Sequence, residues 1–329
     1  MKVFRGFPKA ADKLLFHYAV LRSATARSQG VAVPFFEYNE KRFHYETYGS
    51  DDAPSLILLM GLGMAGSMWP EAFFVPFLRA GLRVIVFDNR DSGESVHCTE
   101  SPVTERDVLT AIGRAVLRRP VSAPYALEDM AIDVERLMDH LAVRRAHVVG
   151  FSMGGMIAQV LATHSPNRVA TLSSLSSAVG NPSTGIGKFM TIYTLLKAPG
   201  ESPEERRSYY RRVLRALEGK RYPASEEQLE AQVSIASEMP FDPVATNRQL
   251  LAILASGDRS HQLRQITVPT LVVHGRDDPL LPFAAGEETA RLIEGAQLIG
   301  IDGLGHQIPE ALFGTIGEAV LSHVFAHPA

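Results

Sequence analysis

The chain has 329 residues, of which 46% are hydrophobic and 21% are charged. This is the composition of an ordinary globular protein, and it excludes a disordered chain, a collagen and a coiled coil. The 33 lysine and arginine residues stand against 36 aspartate and glutamate residues, a net charge of −3. No strongly basic surface is expected, so nucleic acid is not a predicted partner. The single cysteine, Cys98, excludes an internal disulfide and a zinc site built from several cysteines.

Residues 1–40 are predicted to form an N-terminal extension that is helical. Basic residues between positions 2 and 13 precede a short apolar run over 14–21, a pattern that weakly imitates a signal peptide. Asp12 and His17 interrupt this pattern, which favours an amphipathic helix lying against the domain, a partner or a membrane surface. We therefore expect a cytoplasmic protein, with export through this segment as the alternative. No stretch reaches the ~18–20 apolar residues that a transmembrane segment needs.

From about residue 42 onward, short apolar runs alternate with helical stretches, which is typical of a mostly parallel sheet covered by helices. The predicted strands are 42–48, which is antiparallel, then 55–60, 83–87, 146–149, 169–175, 269–274 and 297–301. The predicted helices are 69–80, 127–141, 153–164, 284–294 and 311–326. The run 55–60 is continuously apolar, as expected for a strand buried on both faces.

Residues 180–265 break this alternation, because their composition is polar and helical with two arginine pairs. We predict a helical cap inserted into a core formed by 41–179 and 266–329. A long insertion between two core strands is usually functional, as a lid or a substrate wall. The apolar residues of the insertion would form an underside that suits an apolar substrate and suits plain cap packing equally; they are residues 190–196, Met239, Leu250, Leu251 and Leu254.

The sharpest motif is Gly150-Phe151-Ser152-Met153-Gly154, a G-x-S-x-G pattern placed directly after a predicted strand and before a predicted helix. In such a nucleophile elbow the serine occupies a tight turn with its hydroxyl exposed, and the glycines remove side chains that would collide there. The helix that begins here directs N–H groups and its positive end at the same place. An anionic tetrahedral intermediate would be stabilised there. Ser152 is therefore the candidate nucleophile.

A serine hydroxyl is a weak nucleophile that needs a base, and the base needs a residue that orients it. His306 is the candidate base because it lies in a glycine-rich loop after the last predicted strand, at the carboxyl edge of the sheet. Two adjacent aspartates follow the strand 269–274. We choose Asp278 as the acid, with Asp277 as a turn residue that caps local N–H groups. The chain order Ser152, Asp278, His306 is the order expected for this fold class.

Two further loops follow predicted strands. The backbone N–H groups of Leu62 and Met153 are the predicted oxyanion donors, because the glycines of Gly61-Leu62-Gly63 permit close approach of a substrate. The alternative for this loop is a plain tight turn.

Residues 88–95 hold three acids and an arginine, which could form a phosphate or metal loop. Turn chemistry favours a self-paired structural turn instead.

At these residues the sequence resembles the α/β-hydrolase superfamily, over about residues 40–325. The matching motifs are 150–154 for the nucleophile, Gly275-x-x-Asp278-x-x-x-Pro282 for the acid, Gly305-His306-x-x-Pro309 for the base, and Asp88-x-Arg90-x-x-Gly93-x-Ser95. Residues 59–64 and 87–91 are similar to a branch that includes aclacinomycin methylesterase-like serine esterases. This chain has Met60-Gly61 where many members carry His-Gly, but a backbone donor survives that change. Relatives that resemble haloalkane dehalogenases or epoxide hydrolases are excluded, because they carry an aspartate at the position of Ser152.

The resemblance implies the α/β-hydrolase fold, a mostly parallel sheet of the eight-stranded type with helices on both faces and an inserted helical cap. With the motifs, it leads us to expect a serine hydrolase that cleaves a carboxylic ester of a small, apolar molecule through an acyl-enzyme. Metal and organic cofactors are not needed for that reaction. A carbon–carbon bond hydrolase and a cofactor-free perhydrolase would use the same triad and stay as alternatives, as does a non-catalytic ligand receptor of the same fold.

Overall fold

The computed structural model describes residues 34–100, 102–196, 200, 202–238 and 242–329, and an eight-stranded sheet lies at its centre. The strand order across the sheet is β1-β2-β4-β3-β5-β6-β7-β8. These strands are Phe35–Tyr38 (β1), Lys41–Tyr48 (β2), Ser55–Leu59 (β3), Arg83–Phe87 (β4), Ala146–Phe151 (β5), Val169–Leu175 (β6), Thr270–Gly275 (β7) and Gln297–Ile301 (β8). β1 and β2 are antiparallel to their neighbours, and β3 to β8 are parallel. The predicted fold class is confirmed.

Twelve α-helices lie among the described residues. They are Glu71–Arg79 (α1), Glu105–Val116 (α2), Leu127–His140 (α3), Met153–His164 (α4), Pro182–Gly185 (α5), Phe189–Leu196 (α6), Pro203–Leu217 (α7), Glu226–Glu238 (α8), Pro243–Ser256 (α9), Ser260–Leu263 (α10), Phe283–Leu292 (α11) and Phe313–Ala326 (α12). None of the described helices is long and apolar enough to cross a membrane.

The core forms two layers because successive side chains of a strand point to opposite faces of the sheet. On β3, Ile57 and Leu59 pack with the apolar sides of α3 and α4. Leu56 and Leu58 point the other way and pack with α1 and α12. The continuous apolar run of β3 therefore fills two cores, as its burial on both faces requires.

Most predicted elements lie where the sequence indicated, but two were missed. The strand β1 falls inside the segment expected to be a helical extension, so the sheet begins at Phe35 rather than near residue 41. The remainder of that prediction, residues 1–33, lies outside the described residues. The helix α2 was also missed, although Thr104 and Asp107 mark its start with reciprocal hydrogen bonds between side chain and backbone.

The insertion between β6 and β7 holds α5 to α10 among its described residues. α7 and α8 pack on each other, with arginines of α7 paired to glutamates of α8. α9, by contrast, packs on α2 and α3, and Leu250, Leu251 and Leu254 contact the apolar side of α2. Plain packing therefore accounts for these three leucines; Met239 lies outside the described residues. The division of the chain into core and cap stays a prediction.

A buried ion pair joins the loop after β4 to α3. Arg90 donates from Nε and Nη2 to the two carboxylate oxygens of Asp133, at 2.6 and 2.7 Å. Arg90 Nη2 also donates to the carbonyl of Asp129, at 3.1 Å. Because both side chains are buried, neither charge can be hydrated if the other is removed.

Replacing Asp133 with alanine is expected to lower the free energy of unfolding by about 3–5 kcal/mol, because a buried guanidinium is left without its counter-charge. Urea denaturation of both proteins measures this difference. The matched control is Asp139→Ala on the same helix, which removes a half-exposed carboxylate paired to Arg168. That control is expected to cost less than about 1 kcal/mol. Equal losses in the two variants would contradict the assignment.

Candidate active site

Ser152 occupies the turn between β5 and α4, with φ 54° and ψ −118°. Residues other than glycine rarely adopt a positive φ, and the strain is kept only where surrounding contacts impose it. Here the amide of Ser152 donates to the carbonyl of Leu175 at 2.9 Å. The hydroxyl of Ser177 donates to the carbonyl of Ser152 at 2.8 Å. These two bonds to β6 and the residues after it hold the turn in place.

The glycines around Ser152 are required by close backbone contacts. A Cβ added to Gly150 would lie 2.2 Å from the carbonyl oxygen of Gly154, and one added to Gly154 would lie 2.1 Å from that of Leu59. Real Cβ atoms do not approach oxygen this closely. The G-x-S-x-G pattern thus allows the start of α4 to pack against the ends of β3 and β5.

Three distant parts of the chain meet at Ser152. His306 Nε2 lies 2.9 Å from Ser152 Oγ, although 154 positions separate the two residues. His306 Nδ1 lies 2.7 Å from Asp278 Oδ2. All three side chains are buried. The structure thus brings together the three residues that the sequence singled out as nucleophile, acid and base.

Asp278 is itself fixed by backbone amides. Its Oδ1 accepts hydrogen bonds from the amides of Leu280 and Leu281, at 2.9 and 2.8 Å, while Oδ2 faces His306. Asp277 is placed differently, because its carboxylate lies 3.8 Å from Lys220 Nζ. Of the two adjacent aspartates, it is Asp278 that contacts the histidine.

The loop of His306 is held by the insertion. The His306 amide donates to the carbonyl of Leu217, the last residue of α7, at 2.8 Å. A Cβ on Gly305 would lie 2.2 Å from the amide nitrogen of Gly219. The loop and the residues after α7 are therefore in direct backbone contact, which fixes the direction of the imidazole.

The loop after β3 passes directly beside Ser152, since a Cβ on Gly61 would lie 3.3 Å from Ser152 Cβ. The Met64 amide donates to the Gly61 carbonyl at 3.2 Å, which closes a turn. Because C=O and N–H of a trans peptide point in opposite directions, the Leu62 N–H is directed out of this turn. Met153 is the first residue of α4, so its N–H has no acceptor within the helix. These are the two predicted oxyanion donors.

The loop 88–95 after β4 is a buried polar cluster, but its pairing differs from the prediction. Asp88 accepts from the Gly66 amide at 2.5 Å and from the Glu94 amide at 3.0 Å, as a structural turn would. Arg90 and Asp91, however, pair with Asp133 and Arg248 rather than with each other. Asp91 also accepts from the nearby Cys98 amide at 2.8 Å, so the loop is the structural turn that was expected. Only the expected pairing of its charges within the loop is wrong, because Arg90 and Asp91 reach distant helices.

Several residues around the site were missed by sequence reasoning. His44, Asp133, Arg248 and Gln249 are all buried and hydrogen-bonded to the loops after β3 and β4 or to their side chains. For the three residues on helices, a polar side chain among apolar neighbours was the available signal, but it does not reveal the partner. His44 gave no such signal, because Arg42 and Glu46 flank it on the same face of β2. Among the described residues there is no group of three or more His, Cys, Asp or Glu side chains that could hold a metal ion.

Comparisons with known proteins show which family the chain belongs to. Residues 54–310 match a family model described as alpha/beta hydrolase fold. The chain belongs to this family. It is 29% identical over 296 residues to rhodomycin D methylesterase DnrP of Streptomyces peucetius, covering 84% of this chain and 92% of that protein. It is 30% identical over 269 residues to the putative carbamate hydrolase RutD of Variovorax paradoxus, covering 80% and 87%.

A solved structure also matches this alpha/beta hydrolase. The enol-lactonase from Burkholderia xenovorans LB400 superimposes with a TM-score of 0.68 at 24% identity. The match covers 89% of this chain and all of that one. At this identity the likeness concerns the fold alone. The predicted resemblance to the α/β-hydrolase superfamily and its esterases is confirmed.

The buried pair of His44 and Asp88 predicts a pH dependence of stability. Burial lowers the pKa of His44, but the hydrogen bond and charge of Asp88, 2.8 Å away, outweigh it and leave the pKa raised. A pKa raised by folding contributes stability that is complete below the unfolded value of about 6.5 and is lost as pH rises through the folded value.

We therefore expect the difference in unfolding free energy between the wild type and His44→Gln to be larger at about pH 5.5 than at about pH 9. Glutamine can still donate a hydrogen bond to Asp88 but does not titrate. Urea denaturation at the two pH values measures the difference. A difference that does not change with pH, or that grows as pH rises, would contradict the assignment.

Proposed function

We propose that this alpha/beta hydrolase is a serine hydrolase that cleaves a carboxylic ester through an acyl-enzyme intermediate. The observation that carries the proposal is the chain of two hydrogen-bond distances, 2.9 Å from Ser152 Oγ to His306 Nε2 and 2.7 Å from His306 Nδ1 to Asp278. A buried serine, histidine and carboxylate in this arrangement are what nucleophilic catalysis at a carbonyl requires.

Acylation begins when Ser152 Oγ attacks the carbonyl carbon and His306 Nε2 takes the hydroxyl proton. The imidazolium that forms is stabilised by Asp278, which stays ionised. Two backbone amides hold the other oxygen of Asp278, so the carboxylate does not rotate away from His306. His306 then gives the proton to the leaving alcohol. In deacylation His306 takes a proton from the attacking water and gives it to Ser152 Oγ as the bond to the acyl group breaks and the carboxylic acid leaves.

The tetrahedral oxyanion would be held by the N–H groups of Leu62 and Met153. Removing one such donor typically costs a factor of about 10²–10³ in kcat, so the placement of this loop contributes strongly to the rate. The start of α4 adds its positive dipole end at the same place. Both groups are backbone atoms, and the reaction uses no metal or organic cofactor.

The substrate class that the relatives support is an ester; that it is small and apolar stays a prediction from the sequence, since Leu250, Leu251 and Leu254 pack on α2. The names of two relatives, a methylesterase and a putative carbamate hydrolase, support hydrolysis at a carbonyl carbon. The helices α5 to α8 of the insertion would then form the substrate wall, because Leu217, at the end of α7, contacts the loop that carries His306.

Replacing Ser152 with alanine is expected to lower kcat for p-nitrophenyl acetate and butyrate by at least about 10³-fold, because no other group can form the acyl-enzyme. The melting temperature should not fall, since the backbone bonds of Ser152 remain. Ser322→Ala, at an exposed serine on α12 outside the insertion, is the control and should retain the wild-type rate. A Ser152→Ala variant with wild-type turnover would refute the proposal.

The adjacent aspartates offer a matched pair of variants. Asp278→Asn is expected to lower kcat by about 10⁴-fold, because an amide favours the wrong histidine tautomer and cannot stabilise the imidazolium. Asp277→Asn should leave kcat within about twofold, since its carboxylate faces Lys220. Steady-state kinetics of both variants settle which aspartate acts; similar losses, or a larger loss for Asp277→Asn, would show that the assignment is wrong.

A further inference from the structure

Gln249, on α9, is completely buried and contacts the loop that carries the proposed oxyanion donor Leu62. Its Oε1 accepts a hydrogen bond from the amide of Gly63 at 2.7 Å. Its Nε2 donates to the carbonyl of Arg90, also at 2.7 Å. The side chain therefore joins the loop after β3 to the loop after β4, and both ends of its amide are fixed.

The turn at residues 61–64 has a conformation that needs such support. Gly63 has a φ of +68°, whereas Leu62 is not among the residues of positive φ. This combination at the two central positions is that of a type II turn, which differs from a type I turn by rotation of the central peptide. The Gly63 N–H that Gln249 binds belongs to that central peptide. Holding it fixes which way the peptide points.

The other side of the loop contacts α9 directly. A Cβ on Gly63 would lie 3.0 Å from Thr246 Oγ1, so α9 and the backbone of the turn are in van der Waals contact. Thr246 lies three positions before Gln249 and thus on the same face of the helix. After rotation of the central peptide, the Leu62 carbonyl would point at Gln249 Oε1, and two acceptors would face each other. The helix therefore stabilises one of the two turn conformations. The Leu62 N–H belongs to the preceding peptide, so α9 acts on it by fixing the place of the turn rather than the direction of the central peptide.

α9 is itself held firmly against the core. Arg248, whose side chain is 2% exposed, donates from Nε and Nη2 to the two oxygens of Asp91 at 2.9 and 2.7 Å. At the other end of the helix, Ser256 Oγ accepts from the amide of Leu127 at 3.0 Å. Although α9 belongs to the insertion by sequence, the pair of Arg248, the residue next to Gln249, with Asp91 makes it a rigid support for Gln249, whereas Ser256 lies seven positions away.

We propose that Gln249 is a positioning residue: by holding the Gly63 amide, one residue after Leu62, it fixes the place of the turn beside Ser152 and with it the place of the Leu62 N–H. This inference rests on the proposed acyl-enzyme function. Donors stabilise a developing charge best when they are in place before the reaction, because no energy is then spent on moving them. Gln249 does not touch the substrate in this scheme, so its loss should lower kcat and leave ground-state binding, and hence KM, nearly unchanged.

The test compares Gln249→Met with the wild type on p-nitrophenyl butyrate. Methionine is close to glutamine in length but offers neither the acceptor for Gly63 nor the donor for Arg90. We expect kcat to fall about 10- to 100-fold, with KM within about twofold. The affinity for phenylboronic acid, which forms a tetrahedral adduct with an active-site serine, should fall by a similar factor.

The matched control is Ser256→Ala on the same helix, which removes a contact of α9 with the core but none with the turn. It should lower the melting temperature and leave kcat within about twofold per folded molecule. A merely structural role of Gln249 predicts instead that both variants lose stability and neither loses kcat. Gln249→Asn, which is too short to span the two loops, is the second variant if Gln249→Met does not fold, with the same expected losses.

The outcomes separate this inference from the proposed function. If the wild type is active, Ser152→Ala is inactive and Gln249→Met keeps the wild-type kcat, the positioning role is refuted and the acyl-enzyme proposal stands. If the wild type hydrolyses no ester, or Ser152→Ala retains the wild-type rate, both are refuted. A kcat loss in Ser256→Ala equal to that in Gln249→Met would also overturn the positioning role.

Discussion

The strained turn at Ser152 is the constraint on which the rest of the site depends. Holding a non-glycine residue at a φ of 54° costs about 1–3 kcal/mol, and this cost is tolerated only because β5 and α4 leave the turn no alternative. β5 is paired on both sides, by β3 and β6, and every residue of the strand is buried. α4 is buried along nearly its whole length. The strand and helix are thus fixed independently, and the turn between them must accept the geometry that results.

The parallel sheet explains why the other groups meet there. Parallel strands end at one edge, so the loops after β3, β4, β5, β7 and β8 lie together although they are far apart in the sequence. Two of these loops bring Asp278 and His306 to Ser152. The loops after β3 and β4 are joined by buried polar side chains, among them Asn89, which donates to the carbonyl of Met60 at 3.2 Å. The charged residues of the loops after β3 and β4 hold these loops in place. The proposed reaction is carried out by three other side chains and two backbone amides.

The insertion between β6 and β7 has two different relations to the site. α9 is anchored to the loop after β4 through Arg248 and Asp91, which are 157 positions apart. α7 and α8 chiefly contact each other, with Leu217 at the end of α7 holding the histidine loop through its carbonyl. Both parts of the insertion therefore contact loops of the site, α9 the loops after β3 and β4 and the end of α7 the loop that carries His306.

Features that depend on neighbouring residues in the sequence could be predicted, and features that depend on contacts between distant residues could not. The core strands and the turn at Ser152 are marked by local patterns, so the fold and the three meeting side chains could be predicted. The helix α1 was predicted to begin at Trp69, but it begins at Glu71 because Pro70 is its N-cap. The partners of Arg90 and Asp91 could not be predicted, since Asp133 and Arg248 lie on helices whose positions depend on tertiary packing. The contacts of Gln249 with two loops depend on the position of α9 in the same way. The same reason made the expected pairing of charges within residues 88–95 wrong.

The central claim is that Ser152 carries the acyl group during turnover. The most direct measurement is mass spectrometry of the enzyme quenched in acid while it hydrolyses p-nitrophenyl butyrate, followed by peptide mapping. The account predicts a mass increase equal to one butyryl group, located on the peptide that contains Ser152. The account would be contradicted if the acyl group were found on another residue. It would also be contradicted by steady turnover with no acylated protein under conditions where deacylation is slow.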